Sequence, residues 1–196
     1  MQIAGVVLAA GAGSRFGAVK PLAPFRGRPL LEHPTAALLA AGLAPVLVVL
    51  GAHAAAVRDA AALGAARIVD CPHWAEGQSA SLRAGVAAAA AAGADGVVVV
   101  LGDQPLIAPE AVRRVVAAAG PDVDAVRASY DGRPGHPTLV MASMFDAVAD
   151  LTGDRGARDL FGGARVRTVA CDGLGSAADA DTPEALAALE ALPGQA

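Results

Sequence analysis

Three glycines lie close to two basic residues near the start of the chain, in LAAGAGSRFG at residues 8–17 and at Lys20 just after it. Because glycine has no side chain, such a backbone can approach a bound group closely and offer it main-chain N–H donors. Arg15 and Lys20 would add positive charge. Backbone donors and cations together bind phosphate, so the segment predicts a nucleotide-phosphate loop.

Other interpretations of this loop remain open. GAGSRFG is close to the dinucleotide fingerprint GxGxxG, but its third glycine is displaced by one position. The second predicted strand ends in VVLGAH, without the acidic residue that a dinucleotide site expects. The GK[ST] element of a Walker loop is missing as well. A tight turn whose two cations only face solvent is the simplest alternative.

A second chemical feature is a set of aspartates in two later segments. Asp103 follows four valines in VVVVLGDQP, and Asp179 and Asp181 lie in DADTPEAL. Carboxylate oxygens are preferred ligands of Mg²⁺, and two distant carboxylates can share one ion. The sequence therefore predicts a Mg²⁺ site at Asp103 and Asp181, with Asp179 as the alternative to Asp181. Capping of the next helix is the other interpretation of Asp103.

Hydroxyl and amide groups open a predicted helix in CPHWAEGQSASLRAG, residues 71–85. Ser79 and Ser81 are expected to contact the base or ribose of a nucleotide at the helix N-terminus. Simple capping by Ser79 explains the pattern equally well. His73 and Trp74 are expected to pack beneath this loop.

Apolar runs rich in β-branched residues recur along the first half of the chain, each followed by a stretch of helical character: IAGVVLAA, PVLVVLG, ARIVDC and DGVVVVLGD. This alternation predicts an α/β fold with a Rossmann-like, doubly wound, mostly parallel sheet and helices on both faces. Ligands of such sheets gather at the carboxyl ends of the strands. The loops described above are therefore expected to meet at one edge of the sheet.

The last third of the chain is expected to be more irregular. DGRPGHP at residues 131–137 is rich in turn formers and is expected to interrupt the pattern. After it the sequence predicts a strand at TLVM, a short helix from Ser143, another near Asp154, a strand at RVRTVA, and a terminal helix with Thr182 as N-cap and Pro183 at its first position. Since no linker or repeat divides the chain, one domain over residues 1–196 is expected.

Composition narrows the possible partners. The chain has 196 residues, 55% hydrophobic and 17% charged, with a formal net charge of −4. An acidic chain of this kind has no general attraction for nucleic acid, so its basic residues point to a small anionic ligand. The apolar stretch at residues 86–92 is too short to span a membrane and is expected to be a buried helix. Two widely spaced cysteines, Cys71 and Cys171, and no secretory signal favour a cytoplasmic protein.

These segments together resemble a known family. LAAGAGSRFG with Lys20, GQSASLRAG, LGDQP, RPGHP, GDRGAR and DADTPEAL occur in this order over nearly the whole chain and are similar to the molybdenum cofactor cytidylyltransferases, which belong to the MobA-like NTP transferases. Ala9 and Ala10, together with the GHP and GDRGAR segments, favour the cytidylyl branch over the guanylyl branch. The resemblance implies a fold like that of the nucleotide-diphospho-sugar transferases.

The resemblance also implies a reaction. In it, CMP moves from CTP to the terminal phosphate of molybdopterin, with Mg²⁺ present and pyrophosphate released. The partners it implies are CTP, a phosphorylated pterin and a molybdoenzyme or chaperone that receives the product. Other NTP transferases, with GTP or with a sugar-phosphate or alcohol-phosphate acceptor, and a non-catalytic nucleotide-binding protein are the alternatives.

The family pattern assigns roles to individual positions. Arg15 and Lys20 would hold the triphosphate, and Asp103 would be the principal Mg²⁺ ligand, with Asp181 as the second. His136 and Arg155 would lie at the acceptor, with Arg158 beside them. For His136, a structural hydrogen bond is the alternative. For Arg155 and Arg158, ion pairs with Asp154 and Asp159 are the alternative. The residues implied to contact substrate are Ala9, Ala10, Gly11, Gly13, Ser79, Ser81, His136 and Arg155.

Overall fold

The computed structural model describes residues 1–192 and shows a seven-stranded sheet with a separate two-stranded ribbon. The strands are β1 (Ile3–Ala9), β2 (Pro24–Phe25), β3 (Arg28–Pro29), β4 (Val46–Leu50), β5 (Arg67–Asp70), β6 (Gly96–Leu101), β7 (Ala125–Tyr130), β8 (Arg133–Met141) and β9 (Val166–Ala170). The helices are α1 (Glu32–Ala40), α2 (Ala54–Ala60), α3 (Gln78–Ala91), α4 (Pro109–Ala117), α5 (Phe145–Ala149) and α6 (Pro183–Glu190).

The large sheet is mostly parallel, as the sequence predicts. Its strand order is β5, β4, β1, β6, β8, β7 and β9. Strand β1 pairs in parallel with β4 and β6, β4 with β5, and β7 with β9, whereas β8 is antiparallel to both β6 and β7. Only β8 therefore runs against the common direction, and the loops after the other strands emerge at one edge.

Helices cover both faces of the sheet because the central strands are apolar on both sides. In β1, Val7 packs into the core that contains Leu38 of α1, whereas Val6 packs into the opposite core with Leu82 of α3. The valines of β6 alternate in the same way between the two cores. This two-sided burial is why the strands read as unbroken apolar runs.

The structure corrects several predicted elements. Strand β8 begins at Arg133 and therefore includes most of residues 131–137, which were predicted to be a turn. Strand β7 was not predicted at all. Near Asp154 there is a 3-10 turn at Ala157–Leu160 instead of a helix. The stretch at residues 86–92 is helical through Ala91, but only one of its faces is buried. Within residues 1–192, no helix combines the length and apolar character that a membrane span requires.

Other expectations are confirmed. Strands lie within each of the predicted apolar runs, and the expected helix after Ser143 is α5, preceded by a 3-10 turn. Helix α6 begins at Pro183, and the Thr182 hydroxyl accepts a hydrogen bond from the Ala185 N–H at 3.2 Å. The N-cap fixes the entry to α6 and with it the position of Asp181 just before the helix.

Candidate active site

The glycine-rich segment after β1 lines a cavity of about 420 Å³ at the carboxyl ends of the strands. Gly13 has a φ of +59°, and a Cβ there would lie 3.0 Å from Cβ of Lys20. The loop therefore needs glycine at this position for both its backbone conformation and the close approach of Lys20. A Cβ at Gly11 would meet no atom within 4 Å, so this side of the loop is open to a ligand. Ala9 and Ala10 also line the cavity.

Lys20 lies between two carboxylates that are far from it in sequence. Its Nζ donates to Oδ2 of Asp103 at 2.5 Å and to Oδ1 of Asp181 at 2.9 Å. Arg15 approaches the other oxygen of Asp181 at 3.0 Å. The Lys20 side chain is only 13% exposed, whereas that of Arg15 is 75% exposed. The predicted phosphate-binding cations and metal-binding carboxylates thus form one cluster, called here the Lys20 cluster (Arg15, Lys20, Asp103 and Asp181).

The charges in the Lys20 cluster stabilise one another. Burial alone would lower the pKa of Lys20, but attraction to Asp103 and hydrogen bonds to Asp103 and Asp181 outweigh it and raise the pKa. The hydrogen bond from Lys20, followed by the charges of Lys20 and Arg15, lowers the pKa of Asp181 against the opposing effect of burial. Both groups are therefore ionised at neutral pH.

One oxygen of Asp103 is available for a further partner. Oδ1 is buried and has no hydrogen-bond partner among residues 1–192, although Oδ2 accepts a hydrogen bond from Lys20. An unpaired buried carboxylate oxygen beside a cleft fits a cation ligand. Among residues 1–192 there is no ready group of three or more His, Cys, Asp or Glu side chains for a metal. Asp103 and Asp181 could thus supply part of a coordination shell, with the remaining ligands from phosphate or water.

The two aspartates before α6 face different partners. Asp181 contacts Lys20, whereas Asp179 accepts a hydrogen bond from Nε2 of Gln104 at 2.8 Å. Burial raises the pKa of Asp179, with the hydrogen bond from Gln104 acting in the opposite direction. The structure therefore places Asp181, and not Asp179, beside the same lysine as Asp103.

The N-terminus of α3 forms a second wall of the cavity. Gln78 and Ser81 line it together with Trp74, which lies in a 3-10 turn before the helix. The helix begins after Gly77, whose φ is +112° and whose hypothetical Cβ would lie 2.5 Å from the backbone of Gly153. Close packing against Gly153 therefore requires glycine at residue 77.

Ser79 does not occupy either of its expected positions. It lies inside α3, is fully buried, and lines neither of the cavities described here. Its hydroxyl is 3.4 Å from a guanidinium nitrogen of Arg83, which also donates to the Leu151 carbonyl. The N-cap is Gly77, which has no side chain, so Ser79 is not the cap. His73 is also exposed and pairs with Glu76 at 3.2 Å, so only Trp74 packs as expected.

A second cavity of about 310 Å³ lies next to the first. The two share Leu8, Gln78 and Leu101 in their linings. Burial lowers the pKa of His136, in the second cavity, to about 4, so this imidazole is neutral at neutral pH. The other polar, charged or aromatic residues in its lining are Gln78, Gln104, Arg127, Thr138, Arg158, Phe161 and Asp179.

The two arginines expected at an acceptor are separated by the structure. Arg158 lines the second cavity, whereas Arg155 is exposed and lines neither. The alternative ion pairs are absent within residues 1–192, since no salt bridge joins either arginine to Asp154 or Asp159. The Asp159 carboxylate instead accepts a hydrogen bond from the Gly156 N–H at 2.7 Å and caps the 3-10 turn.

Sequence reasoning missed several lining residues. Gln104 was not predicted, although it directly follows Asp103 in a segment already singled out, whereas the amide of Gln78 was among the groups expected at the N-terminus of α3. Asp154 lines the first cavity because its loop packs against Gly77. Arg127 lies in β7, and no sequence signal pointed to that strand or to Phe161.

A glycine loop lines one cleft with Lys20 and Asp103, and Arg15 and Asp181 complete the charge cluster beside it. At the carboxyl edge of a mostly parallel sheet, this arrangement defines a nucleotide-binding α/β protein of the transferase class. The chain belongs to the MobA-like NTP transferase domain family, whose sequence profile matches residues 5–169. It is thus a nucleotidyltransferase, and the resemblance found in the sequence is confirmed at the level of the family.

Individual relatives cover most of the chain. The nicotine blue oxidoreductase of Paenarthrobacter nicotinovorans is 40% identical over 164 residues, 80% of this chain and 79% of that protein. The purine catabolism protein PucB of Bacillus subtilis is 32% identical over 195 residues, 92% of each. The crystal structure of Rv0371C from Mycobacterium tuberculosis H37Rv in complex with manganese is 34% identical, covers 98% of this chain and 100% of its own, and gives a TM-score of 0.84.

Proposed function

We propose that this nucleotidyltransferase moves CMP from CTP to the terminal phosphate of molybdopterin and releases pyrophosphate. The observation that carries the proposal is the Lys20 cluster, which sets two cations and two carboxylates beside the open glycine loop. The assignment of CTP and molybdopterin rests on the segments that resemble the cytidylyl branch. A receiving molybdoenzyme or chaperone is part of the same proposal.

The reaction needs positioning and charge neutralisation more than a strong base. An oxygen of the acceptor phosphate attacks the α-phosphorus of CTP and forms the new P–O bond, while the bond to pyrophosphate breaks and its electron pair leaves with pyrophosphate. The attacking group is already an anion, so no covalent enzyme intermediate is required. Bringing two anions together is the main obstacle, and cations aimed at the phosphates reduce it.

The residues of the first cavity have separate tasks in this proposal. Backbone N–H groups at Gly11 and Gly13 approach the phosphates, and Lys20 and Arg15 bind the triphosphate. Lys20 must then share its ammonium group between phosphate and its two carboxylate partners. Asp103 and Asp181 would hold Mg²⁺, which when bound would offset the charge of the departing pyrophosphate. The manganese in the Rv0371C crystal supports a divalent cation in this family.

Base selection is proposed to occur in the wall formed by Ala9, Ala10 and Ser81. A site that hydrogen-bonds cytosine leaves buried polar groups unpaired when another base enters, which costs about 1–3 kcal/mol per group. We therefore expect kcat/KM for CTP to exceed that for GTP by at least about tenfold.

A dinucleotide-dependent reduction is the second candidate function. The Paenarthrobacter relative, which is 40% identical over 80% of this chain, is named an oxidoreductase, and this name supports a redox reaction without specifying the electron donor. Strand β4 ends at Leu50 and is followed by Gly51, Ala52 and His53, so the acidic residue expected for a dinucleotide ribose is missing there.

One experiment separates these functions. The purified protein is incubated with each NTP and Mg²⁺, with and without molybdopterin, and pyrophosphate and the dinucleotide product are measured. We expect pyrophosphate only with molybdopterin present and mostly with CTP. Lys20→Ala should lose this activity, whereas Arg67→Ala, which removes an exposed positive charge on β5, should keep it. A predominant guanylyl product would refute the choice of base, and NADH or NADPH oxidation without pyrophosphate would favour the second function.

A further inference from the structure

Gln104 has a buried acceptor atom that nothing in the described chain satisfies. The residue is 3% exposed, and its Nε2 donates to the Ala177 carbonyl at 3.0 Å and to Oδ1 of Asp179 at 2.8 Å. The carbonyl can only accept, so the amide nitrogen must face it, and this fixes the orientation of the amide. Oε1 is left buried without a hydrogen-bond partner. A buried acceptor of this kind costs stability unless a ligand or water completes it.

Gln104 lines the second cavity, where positive charge is also unpaired. Neither Arg127 nor Arg158 forms an ion pair with a carboxylate within residues 1–192, and Asp179 is the only acidic residue in the described lining. The Arg127 guanidinium lies 6.0 Å from the centre of the Phe161 ring. Two cations and an aromatic ring suit a ligand with an anionic group and a planar ring system.

The second cavity is placed to present such a ligand to the first. Asp103 lines the first cavity, and the next residue, Gln104, lines the second. Both residues lie in the loop after β6, and Leu8 and Leu101 contribute to both linings. A group at the boundary would therefore lie beside the phosphates of a nucleotide held by the glycine loop.

We propose that the second cavity holds the ring system of the phosphorylated acceptor and that Oε1 of Gln104 accepts a hydrogen bond from a ring N–H or amino group of it. Gln104 is then a specificity-determining residue for the acceptor, while Arg127 and Arg158 attract its anionic group. This inference rests on the proposed function, since it names how the acceptor of that reaction is recognised. An acceptor without a hydrogen-bond donor on its ring would leave Oε1 unpaired and bind more weakly.

The test measures binding and turnover separately. Binding of 6-hydroxymethylpterin phosphate and of inorganic phosphate is measured by equilibrium dialysis on the wild-type protein, Gln104→Met and Arg158→Ala. We expect Gln104→Met to weaken phosphopterin binding at least tenfold with little effect on phosphate, and Arg158→Ala to weaken both. CTP binding, followed through the fluorescence of Trp74, the chain's single tryptophan and part of the first cavity, should stay within twofold in Gln104→Met.

A second measurement does not depend on the variant folding. On the wild-type protein, a phosphopterin methylated at its ring N–H and amino groups should bind at least tenfold more weakly than the parent compound. Equal binding of the two would overturn the role of Gln104, and so would the absence of phosphopterin binding to the wild-type protein.

Steady-state kinetics distinguish failure of this inference from failure of the proposed function. If the wild-type protein transfers CMP to molybdopterin and Gln104→Met has an unchanged KM for molybdopterin, the inference is wrong and the function stands. If phosphopterin binding depends on Gln104 but CTP and molybdopterin yield no pyrophosphate, the proposed function is wrong and the cavity assignment stands.

Discussion

Replacing Asp103 by asparagine tests the centre of the proposed mechanism. Asparagine has the same shape and can keep an oxygen toward Lys20, whose Nζ lies 2.5 Å from Oδ2 of the aspartate. The change removes the negative charge from a side chain that is 22% exposed, and the partner lysine is 13% exposed. The fold should persist because Lys20 keeps its contact with Asp181 at 2.9 Å.

The expected magnitudes follow from these contacts. A hydrogen bond between two charged groups becomes one with a neutral acceptor, so the free energy of unfolding should fall by about 1–2 kcal/mol. The pKa of Lys20 should also fall, because the Asp103 charge that raises it is gone. The turnover rate should fall at least roughly 100-fold, or about 2.7 kcal/mol in transition-state stabilisation, as expected for losing a main electrostatic element.

The assay is pyrophosphate release at saturating CTP and acceptor, repeated over a range of Mg²⁺ concentrations. Asp103→Asn should need more Mg²⁺ for half-maximal rate, and urea unfolding should show the modest loss of stability. Asp122→Asn is the matched control, since the Asp122 side chain is 91% exposed and lies before β7, whereas Asp103 lies after β6 at the carboxyl edge of the sheet. A turnover rate within a few-fold of the wild-type value at saturating nucleotide would show that Asp103 is not central to the chemistry.

Two further predictions concern how residues that line the cavities affect the stability of the fold. Gly77→Ala should destabilise the fold by about 3 kcal/mol or more in urea unfolding, because it combines an unfavourable φ with a Cβ 2.5 Å from the Gly153 backbone. Gly93→Ala, with a φ of +77° but nothing within 4 Å, should cost only about 1 kcal/mol, and equal losses would contradict the steric argument. The pKa of His136 falls from 6.5 to about 4 on folding, so its contribution to stability is complete above pH 6.5 and is lost as the pH falls toward 4. Between pH 7 and pH 4, the free energy of unfolding of the wild-type protein should therefore fall by about 3 kcal/mol more than that of His136→Gln. If the two proteins lose stability in parallel over this range, the pKa of His136 is not lowered by folding.

The parallel part of the sheet could be predicted because its strands are buried on both faces. Valine runs such as that of β6 leave little alternative to a covered central strand. Strand β8 could not be found in the same way, because Pro134, Gly135 and Pro137 are typical of turns. Its pairing explains how they are accommodated: β8 pairs with β6 only from Thr138 onward, and before that point it pairs with β7 alone, across a register shift.

At the candidate site, too, local sequence patterns predicted some features and missed others. The segments predicted which residue types would face the cleft, and Lys20 and Asp103 are both there. Their direct contact could not be predicted, since 83 positions separate them in sequence. For the second cavity, the family resemblance pointed to His136 and Arg158, which both line it. The rest of its lining could not be predicted, because it includes residues of β7, β8 and a 3-10 turn that local patterns misassigned or missed.

Charge balance links the structure of the Lys20 cluster to the need for a divalent cation. Without substrate, the two positive charges of Arg15 and Lys20 cancel the two negative charges of Asp103 and Asp181. A triphosphate brings several negative charges into this neutral group, and the two cations cannot neutralise it while they remain paired with carboxylates. If Lys20 turns to the phosphates, the Asp103 carboxylate loses its only hydrogen-bond partner in the described chain, and both of its oxygens are left free for another cation. The Lys20–Asp103 contact therefore stabilises the Lys20 cluster when no nucleotide is bound. Its loss when Lys20 binds the phosphates would free the Asp103 carboxylate for a metal ion.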